Sequence, residues 1–267
     1  MSYEKIHQPC NDCGSSDALT INTDASTKCF KCGKYTRPLN GSNSETLPVL
    51  STKVVKGVTE RSDAFVGGFR DRRISITAAS RYGVTQTSDL TIFPYYNKTG
   101  DKQGQKVRNV DKKMWFEGEK QKSVLFGQQL FTKGGKFVTI VEGEFDALAA
   151  YQMLGNYPVV SVRTGAQGAL GDCKEHFEWL DSFDSVVISF DSDEAGRKAA
   201  AEVAELFGNK AKVMKHIDDC KDACDYLMQR LEPQFVSSWW AAEQFKPEGI
   251  VTMQDIRDRL LKPPEAG

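Results

Sequence analysis

Histidine is scarce in this chain of 267 residues: there are three, at positions 7, 176 and 216. They are far apart, and no histidine–serine–aspartate arrangement is visible, so a triad hydrolase is not indicated. There is no GxxxxGK[ST] loop, which excludes NTP hydrolysis by P-loop chemistry within this chain. No apolar run approaches the ~18 residues that a membrane helix needs. The opening MSYEKIHQPC lacks the apolar centre of a secretory signal, so a cytoplasmic protein is expected. No internal repeat is evident. With 40% hydrophobic and 27% charged residues, the composition is that of a globular protein.

The formal net charge of −1 hides an asymmetry. Lys53 to Lys122 carries 15 Lys/Arg against 8 Asp/Glu, whereas Lys136 to Arg230 carries 10 against 17. A basic segment suits a phosphate-rich partner. An acidic one is either a solvated surface or includes a site that concentrates divalent cations.

Four of the seven cysteines lie in the first 38 residues, as Cys10-x2-Cys13 and Cys29-x2-Cys32 with fifteen residues between the pairs. Two such turns brought together by a β-hairpin offer four thiolates to one Zn²⁺, and in so small a segment the metal would supply much of the folding free energy. Disulfides are the alternative, disfavoured by a cytoplasmic setting. Cys173, Cys220 and Cys224 are scattered and read as ordinary thiols. Residues 39–57 have a linker composition. Residues 58–132 mix a helix (ISITAASRYGV) with strands (TIFPYYN, QKVRNV) in a small α+β unit. From residue 133 to 231 strands and helices alternate: KFVTIVEG, EFDALAAYQML, PVVSVR, CKEHFEWL, SVVISFD, EAGRKAAAEVAELF, AKVMKH and DACDYLMQRL. This alternation implies a parallel sheet covered on both faces, with ligands bound beyond the carboxyl ends of its strands. Residues 232–267 are expected to form a helical connector. The overall class is α/β.

Glu142 stands at the end of one of those strands, and Asp191 and Asp193 at the end of another. If the strands are neighbours, three carboxylates face one crevice, and they repel unless a cation sits among them. Mg²⁺ held this way keeps positions for phosphate oxygens, as nucleotidyl transfer requires. On the basic strand, Lys106 and Arg108 share a face and Lys112 follows; such cations opposite an acidic metal site can hold polyphosphate, or simply form a solvated strand. Trp115 and Phe116 favour core packing over base stacking. Arg163 ends a strand on the ligand side, and Arg197 in the next helix is placed either to meet phosphate or to lie on the surface.

VEGEFDAL and FDSDEAGRKA resemble the two signature motifs of the TOPRIM domain, a Rossmann-like fold shared by primases, topoisomerases and some nucleases. The four-cysteine module, the linker, QKVRNVDKK, KDACDYL and PEGIVTMQDIRDRL extend the resemblance to the primase half of bacteriophage primase–helicases of the short-tailed coliphage type. The resemblance implies a DNA primase that makes short RNA primers from NTPs on single-stranded DNA. Its zinc ribbon (Cys10, Cys13, Cys29, Cys32) would select the start site. Glu142, Asp191, Asp193 and Asp222 would hold Mg²⁺ or Mn²⁺, although Asp222 also suits a helix N-terminus. Lys106 and Lys112 would act in catalysis and, with Arg108, Arg163 and Arg197, contact nucleotide or template. Asp24 matches a template-reading position; Ser26 stands where the family has histidine, which leaves the trinucleotide open. The implied partners are a replicative helicase and a DNA polymerase, in the cytoplasm of an infected host. A TOPRIM nuclease and a non-catalytic zinc-ribbon adaptor are the competing readings.

Overall fold

The computed structural model describes residues 3–10, 15–22, 27–29, 31, 35–36, 55–155, 157–246 and 257. The chain divides into two units, Met1–Val49 and Leu50–Gly267. The first is an antiparallel sheet of β1 (Tyr3–Cys10), β2 (Ser15–Asn22), β3 (Thr27–Cys29) and β4 (Tyr35–Thr36), in that order. β1 and β3 both run antiparallel to β2 and therefore in the same direction. Each ends in the first cysteine of a CxxC pair. The pairing of β1 with β2 shifts register between Lys5 and Gln8, where His7 adopts a φ of 57°.

The second unit opens with α1 (Ile76–Arg81), whose N-terminus is capped by the Ser75 hydroxyl accepting from Ala78 N at 3.2 Å. An antiparallel sheet follows: β5 (Thr85–Gln86), β6 (Leu90–Tyr96), β7 (Lys102–Asn109) and β8 (Met114–Gly118). The turn between β6 and β7 is set by Asn97, whose Oδ1 accepts from the backbone N–H of Thr99 (3.0 Å) and of Asp101 (2.9 Å). One face of this sheet buries Phe93 and Tyr95 against Tyr82 and Phe126. The Tyr82 hydroxyl donates to the Val159 carbonyl at 2.7 Å, tying this layer to the next.

That next layer is the alternating segment. It runs β9 (Gly135–Val141), α2 (Glu144–Leu154), β10 (Val159–Ser161), α3 (Ala169–Glu175), α4 (Phe177–Leu180), β11 (Phe183–Ser189), α5 (Glu194–Phe207), β12 (Ala211–Val213), α6 (Ala223–Gln229), α7 (Glu232–Trp240) and β13 (Glu243–Gln244). The sheet order is β10-β9-β11-β12-β13; all neighbours are parallel except β13. β9 and β11 read as apolar runs because both faces are covered: α2, α6 and α7 pack on one side, and α3 and α5 on the other. α5 presents Ala199, Ala200, Val203, Ala204 and Phe207 inward to the core on this side of the sheet.

Residues 232–246 hold one helix and then an edge strand, where the sequence suggested helices alone. Trp239 anchors this turn: its indole N–H donates to Thr139 Oγ1 at 3.0 Å and its ring packs edge-on against Phe137. The chain is thereby returned to β12, whose open edge β13 pairs. Among the described residues no helix is long and apolar enough to cross a membrane.

Candidate metal and nucleotide site

β9 and β11 lie side by side with Val141 opposite Ser189. Glu142 is the next residue after β9 and Asp191 the second after β11, so the register alone delivers both carboxylates to one edge of the sheet. Two further acids join them. Asp146 sits in the first turn of α2, one helical turn beyond Glu142, and Asp222 is the N-cap of α6, after β12. Carboxylate oxygens of Asp146 and Asp222 lie within 4.8 Å of each other and of Cys224 Sγ. The electrostatics report the crowding. Burial, then Glu142 and Asp222, push the Asp191 carboxyl up to about 7. Burial, then Asp222 and Asp191, push Asp146 up to about 8.

Three local features hold this geometry. Glu142 Oε1 accepts from Ala166 N at 3.2 Å, while its Oε2 is buried with no hydrogen-bond partner. A Cβ at Gly143 would stand 2.8 Å from Asp146 Oδ2, so the glycine makes room for that carboxylate. A Cβ at Gly196 would stand 2.1 Å from the Asp191 carbonyl oxygen, so α5 approaches the Asp191 backbone only because residue 196 has no side chain. A buried carboxylate oxygen without a donor, beside three more acids, fits a divalent cation. Asp193 lies at the exposed rim, where its Oδ1 caps α5 by accepting from Gly196 N at 2.8 Å. Asp222 likewise caps α6 with one oxygen, accepting from Asp225 N at 2.9 Å. Its other oxygen faces Lys221 Nζ at 3.7 Å.

Basic side chains on and around β7 fall into two groups, of which one faces the acids. Lys106 lines a cleft of about 450 Å³ together with Glu142, Asp146, Asp191, Lys120 and Trp115. Its ammonium is ion-paired with the buried Glu144, which also accepts from the Tyr95 hydroxyl at 2.5 Å. Arg108 and Lys112 instead line a separate cleft of about 310 Å³, with Arg72. The guanidiniums of Arg72 and Arg108 both lie over the Phe145 ring, at 4.3 and 5.3 Å from its centroid. Burial and then Arg72 lower the Arg108 pKa, and Asp71, 4.0 Å from the Arg72 guanidinium, offsets this only in part. Lys112 is exposed in the turn between β7 and β8, at a φ of 65°.

The other candidates have more local partners. Arg163 is buried, paired with Asp172 at 2.7 Å and with Glu175, and donates to the Ser123 carbonyl at 2.8 Å. Arg197 donates to the Ser192 carbonyl. Phe116 packs edge-on against Tyr95 at 5.3 Å, whereas Trp115 is 36% exposed at the cleft wall. Cys173, Cys220 and Cys224 are all buried. In the N-terminal unit Cys29 is buried and Cys10 ends β1; Cys13, Cys32 and Asp24, and the side chain of Cys10, lie outside the described residues.

Sequence reasoning missed Asp146, Glu144 and Arg72. For Asp146 a signal existed: within EGEFDAL it lies four residues after Glu142, on a helix that starts at a strand's carboxyl end. Glu144 and Arg72 are defined by tertiary contacts and left no such trace.

A parallel sheet with acids gathered at its carboxyl edge defines the class, and residues 139–227 match the Toprim-like family. The chain is 29% identical over 270 residues to the DNA helicase/primase of Enterobacteria phage T3, a match covering 96% of this chain and 47% of that protein. It thus spans about half the length of that curated relative. The crystal structure of the primase fragment of the bacteriophage T7 primase-helicase superposes with a TM-score of 0.64 at 30% identity, covering 88% of this chain and 99% of that one. The T7 lagging-strand DNA polymerase structure, described as interacting with primase domains of two gp4 subunits bound to an RNA/DNA hybrid and dTTP, matches with a TM-score of 0.62 at 30% identity, over 68% of this chain and 94% of that one. The chain belongs to the family formed by the primase portion of bacteriophage primase–helicases.

Proposed function

We propose that this chain is a DNA primase that joins ribonucleotides on a single-stranded DNA template, releasing pyrophosphate. The observation that carries the reading is the meeting of Glu142, Asp146, Asp191 and Asp222 at one sheet edge, with Lys106 across the cleft. Glu142, Asp146, Asp191 and Asp222 would hold Mg²⁺ or Mn²⁺, with Asp193 at the rim. Bound there, a divalent ion supplies Lewis-acid chemistry, favouring ionisation of the attacking 3′-hydroxyl and neutralising the departing phosphates. Lys106, kept in place by Glu144, offers its remaining N–H groups to the triphosphate. Arg72, Arg108 and Lys112 form a second cationic surface, suited to template or primer phosphates. Arg163 acts mainly through its ion pairs, bracing the strand end beside Glu142, and Arg197 faces phosphate at the far side of Asp191.

On this reading residues 1–38 form a zinc ribbon held by Cys10, Cys13, Cys29 and Cys32, with Asp24 reading template bases. The common direction of β1 and β3, each ending in a cysteine, supports that arrangement. Residues 39–57 link it to a basic subdomain (58–132) and the Toprim segment (133–231), whose sheet is extended by β13, after α7, within residues 232–246. The partners proposed are NTPs, single-stranded DNA, the RNA primer, a replicative helicase and a DNA polymerase, in the cytoplasm of an infected bacterium. The polymerase in the T7 complex supports the last of these partners.

Incubation with labelled ATP and CTP on mixed-sequence single-stranded DNA tests the proposal. Short primers that require Mg²⁺ or Mn²⁺ and vanish in Asp191→Ala are expected. Cleavage of the DNA would indicate a nuclease, and a gel shift alone an adaptor.

A further inference from the structure

The acidic crevice contains a sulfur atom that a magnesium site does not call for. Cys224, the second residue of α6, is 1% exposed. Its thiol hydrogen-bonds the Asp146 side chain, and its Sγ and one carboxylate oxygen each from Asp146 and Asp222 all lie within 4.8 Å of one another. The backbone fixes this placement. Cys224 N donates to Asp146 Oδ1 at 3.2 Å, and Asp222, two residues earlier, is locked as the cap of α6. Two oxygens and one sulfur therefore converge from two helices whose first turns are joined to each other.

Mg²⁺ takes oxygen ligands and keeps its waters, whereas thiolates select zinc and softer ions. We propose that Cys224 is a third ligand at the Asp146–Asp222 end of the crevice and makes it a mixed oxygen–sulfur site that captures Zn²⁺ or Cd²⁺ in preference to Mg²⁺. The inference rests on the reading of this crevice as a divalent-cation site. Capture breaks the Sγ–H bond, forms an Sγ–metal bond and releases one proton to solvent, with no change of oxidation state. Mg²⁺ at the same position leaves the thiol protonated and is held by carboxylates alone. Zinc above the amount required by the N-terminal cysteines would then displace Mg²⁺ and silence the enzyme.

Cd²⁺ is the probe, added to the full chain already loaded with zinc. Anomalous diffraction from soaked crystals is expected to show Cd²⁺ beside Cys224 Sγ, Asp146 and Asp222. Calorimetric titration should show Cd²⁺ binding weakened in Cys224→Ser by at least the roughly 10- to 100-fold that loss of a supporting group costs at metal centres. Mn²⁺ binding should weaken far less. Cd²⁺ confined to the N-terminal cysteines, or bound equally by Cys224→Ser, overturns the inference; the wild-type diffraction result stands whether or not the variant folds. The two readings separate on Mn²⁺. If Mn²⁺ does not enter the wild-type crevice, the metal-site reading itself fails. If Mn²⁺ enters and Cd²⁺ is indifferent to Cys224, only the sulfur ligand is lost.

Discussion

Gly196→Ala sets helix propensity against geometry at the acidic edge of the sheet. Residue 196 lies in the first turn of α5, and in a helix alanine is favoured over glycine by about 1 kcal/mol. Propensity alone therefore predicts a more stable protein. The structure predicts the opposite. The added Cβ would lie 2.1 Å from the Asp191 carbonyl oxygen, 2.9 Å from its carbonyl carbon and 3.1 Å from its nitrogen. All three are backbone atoms, so no rotamer relieves the contact. A carbon and a carbonyl oxygen approach to about 3.3 Å, so α5 and the Asp191 loop must part by about 1 Å. Overpacking of this kind costs about 1–3 kcal/mol. A misplacement of about 1 Å near a reacting centre can cost about 10²-fold in rate. The parting also pulls Gly196 N from Asp193 Oδ1, weakening the cap of α5. Thermal unfolding, Mn²⁺ titration and the rate of dinucleotide synthesis are the assays. A lowered Tm, weakened Mn²⁺ binding and a rate down by about two orders of magnitude are expected. A Gly196→Ala protein with raised Tm and unchanged Mn²⁺ affinity would refute the close packing of α5 on Asp191.

Three further outcomes are expected, two from the acidic crevice and one from the N-terminal cysteines. Lys106→Met should destabilise the fold by about 3 kcal/mol in urea unfolding, because it strands the buried Glu144; adding Glu144→Gln should restore much of that stability without restoring primer synthesis. In chelator, stability should fall as pH rises from about 4 to about 8. The sign follows from acids whose folded pKa lies above the unfolded value: Asp191 (about 7) and Asp146 (about 8) keep protons that the unfolded chain has released from an ordinary 3.8. Saturating Mn²⁺ takes the place of those protons, so the difference between the chelator and Mn²⁺ stability curves should widen with pH; parallel curves would count against it. Cys29→Ser should cost one zinc per chain by elemental analysis and abolish template-directed initiation, while extension of a supplied primer survives in part.

The layered architecture was legible because both periodicities were strong. KFVTIVEG and SVVISFD are apolar without alternation, the mark of strands buried on both faces, and each is followed by a segment of helical spacing. Glu142 and Asp191 were legible for the same reason, since a carboxylate after such a run has little choice but the sheet's carboxyl edge. The expectation that Asp191 and Asp193 together face the crevice from a strand end met a different local structure. β11 ends at Ser189, so both aspartates lie in the turn, and Asp193 is drawn off to cap α5. What fills the crevice instead comes from helix starts, Asp146 on α2 and Asp222 on α6, which are brought together by packing that no linear spacing records. Lys106 and Arg108 share a face of β7 as alternation requires. They nevertheless serve different clefts, because Phe145 stands against Arg108 and Glu144 takes Lys106. β13 escaped notice because two residues carry no periodicity, and only the open edge of β12 gives them a partner.

The central claim is that four acids from separate elements gather around divalent cations. Anomalous diffraction from crystals soaked in Mn²⁺ tests it most directly. The account predicts a manganese peak within coordinating distance of the Glu142 and Asp191 carboxylates, lost in Asp191→Asn. Manganese scattered over surface carboxylates, with the crevice bare at saturating concentration, would contradict it.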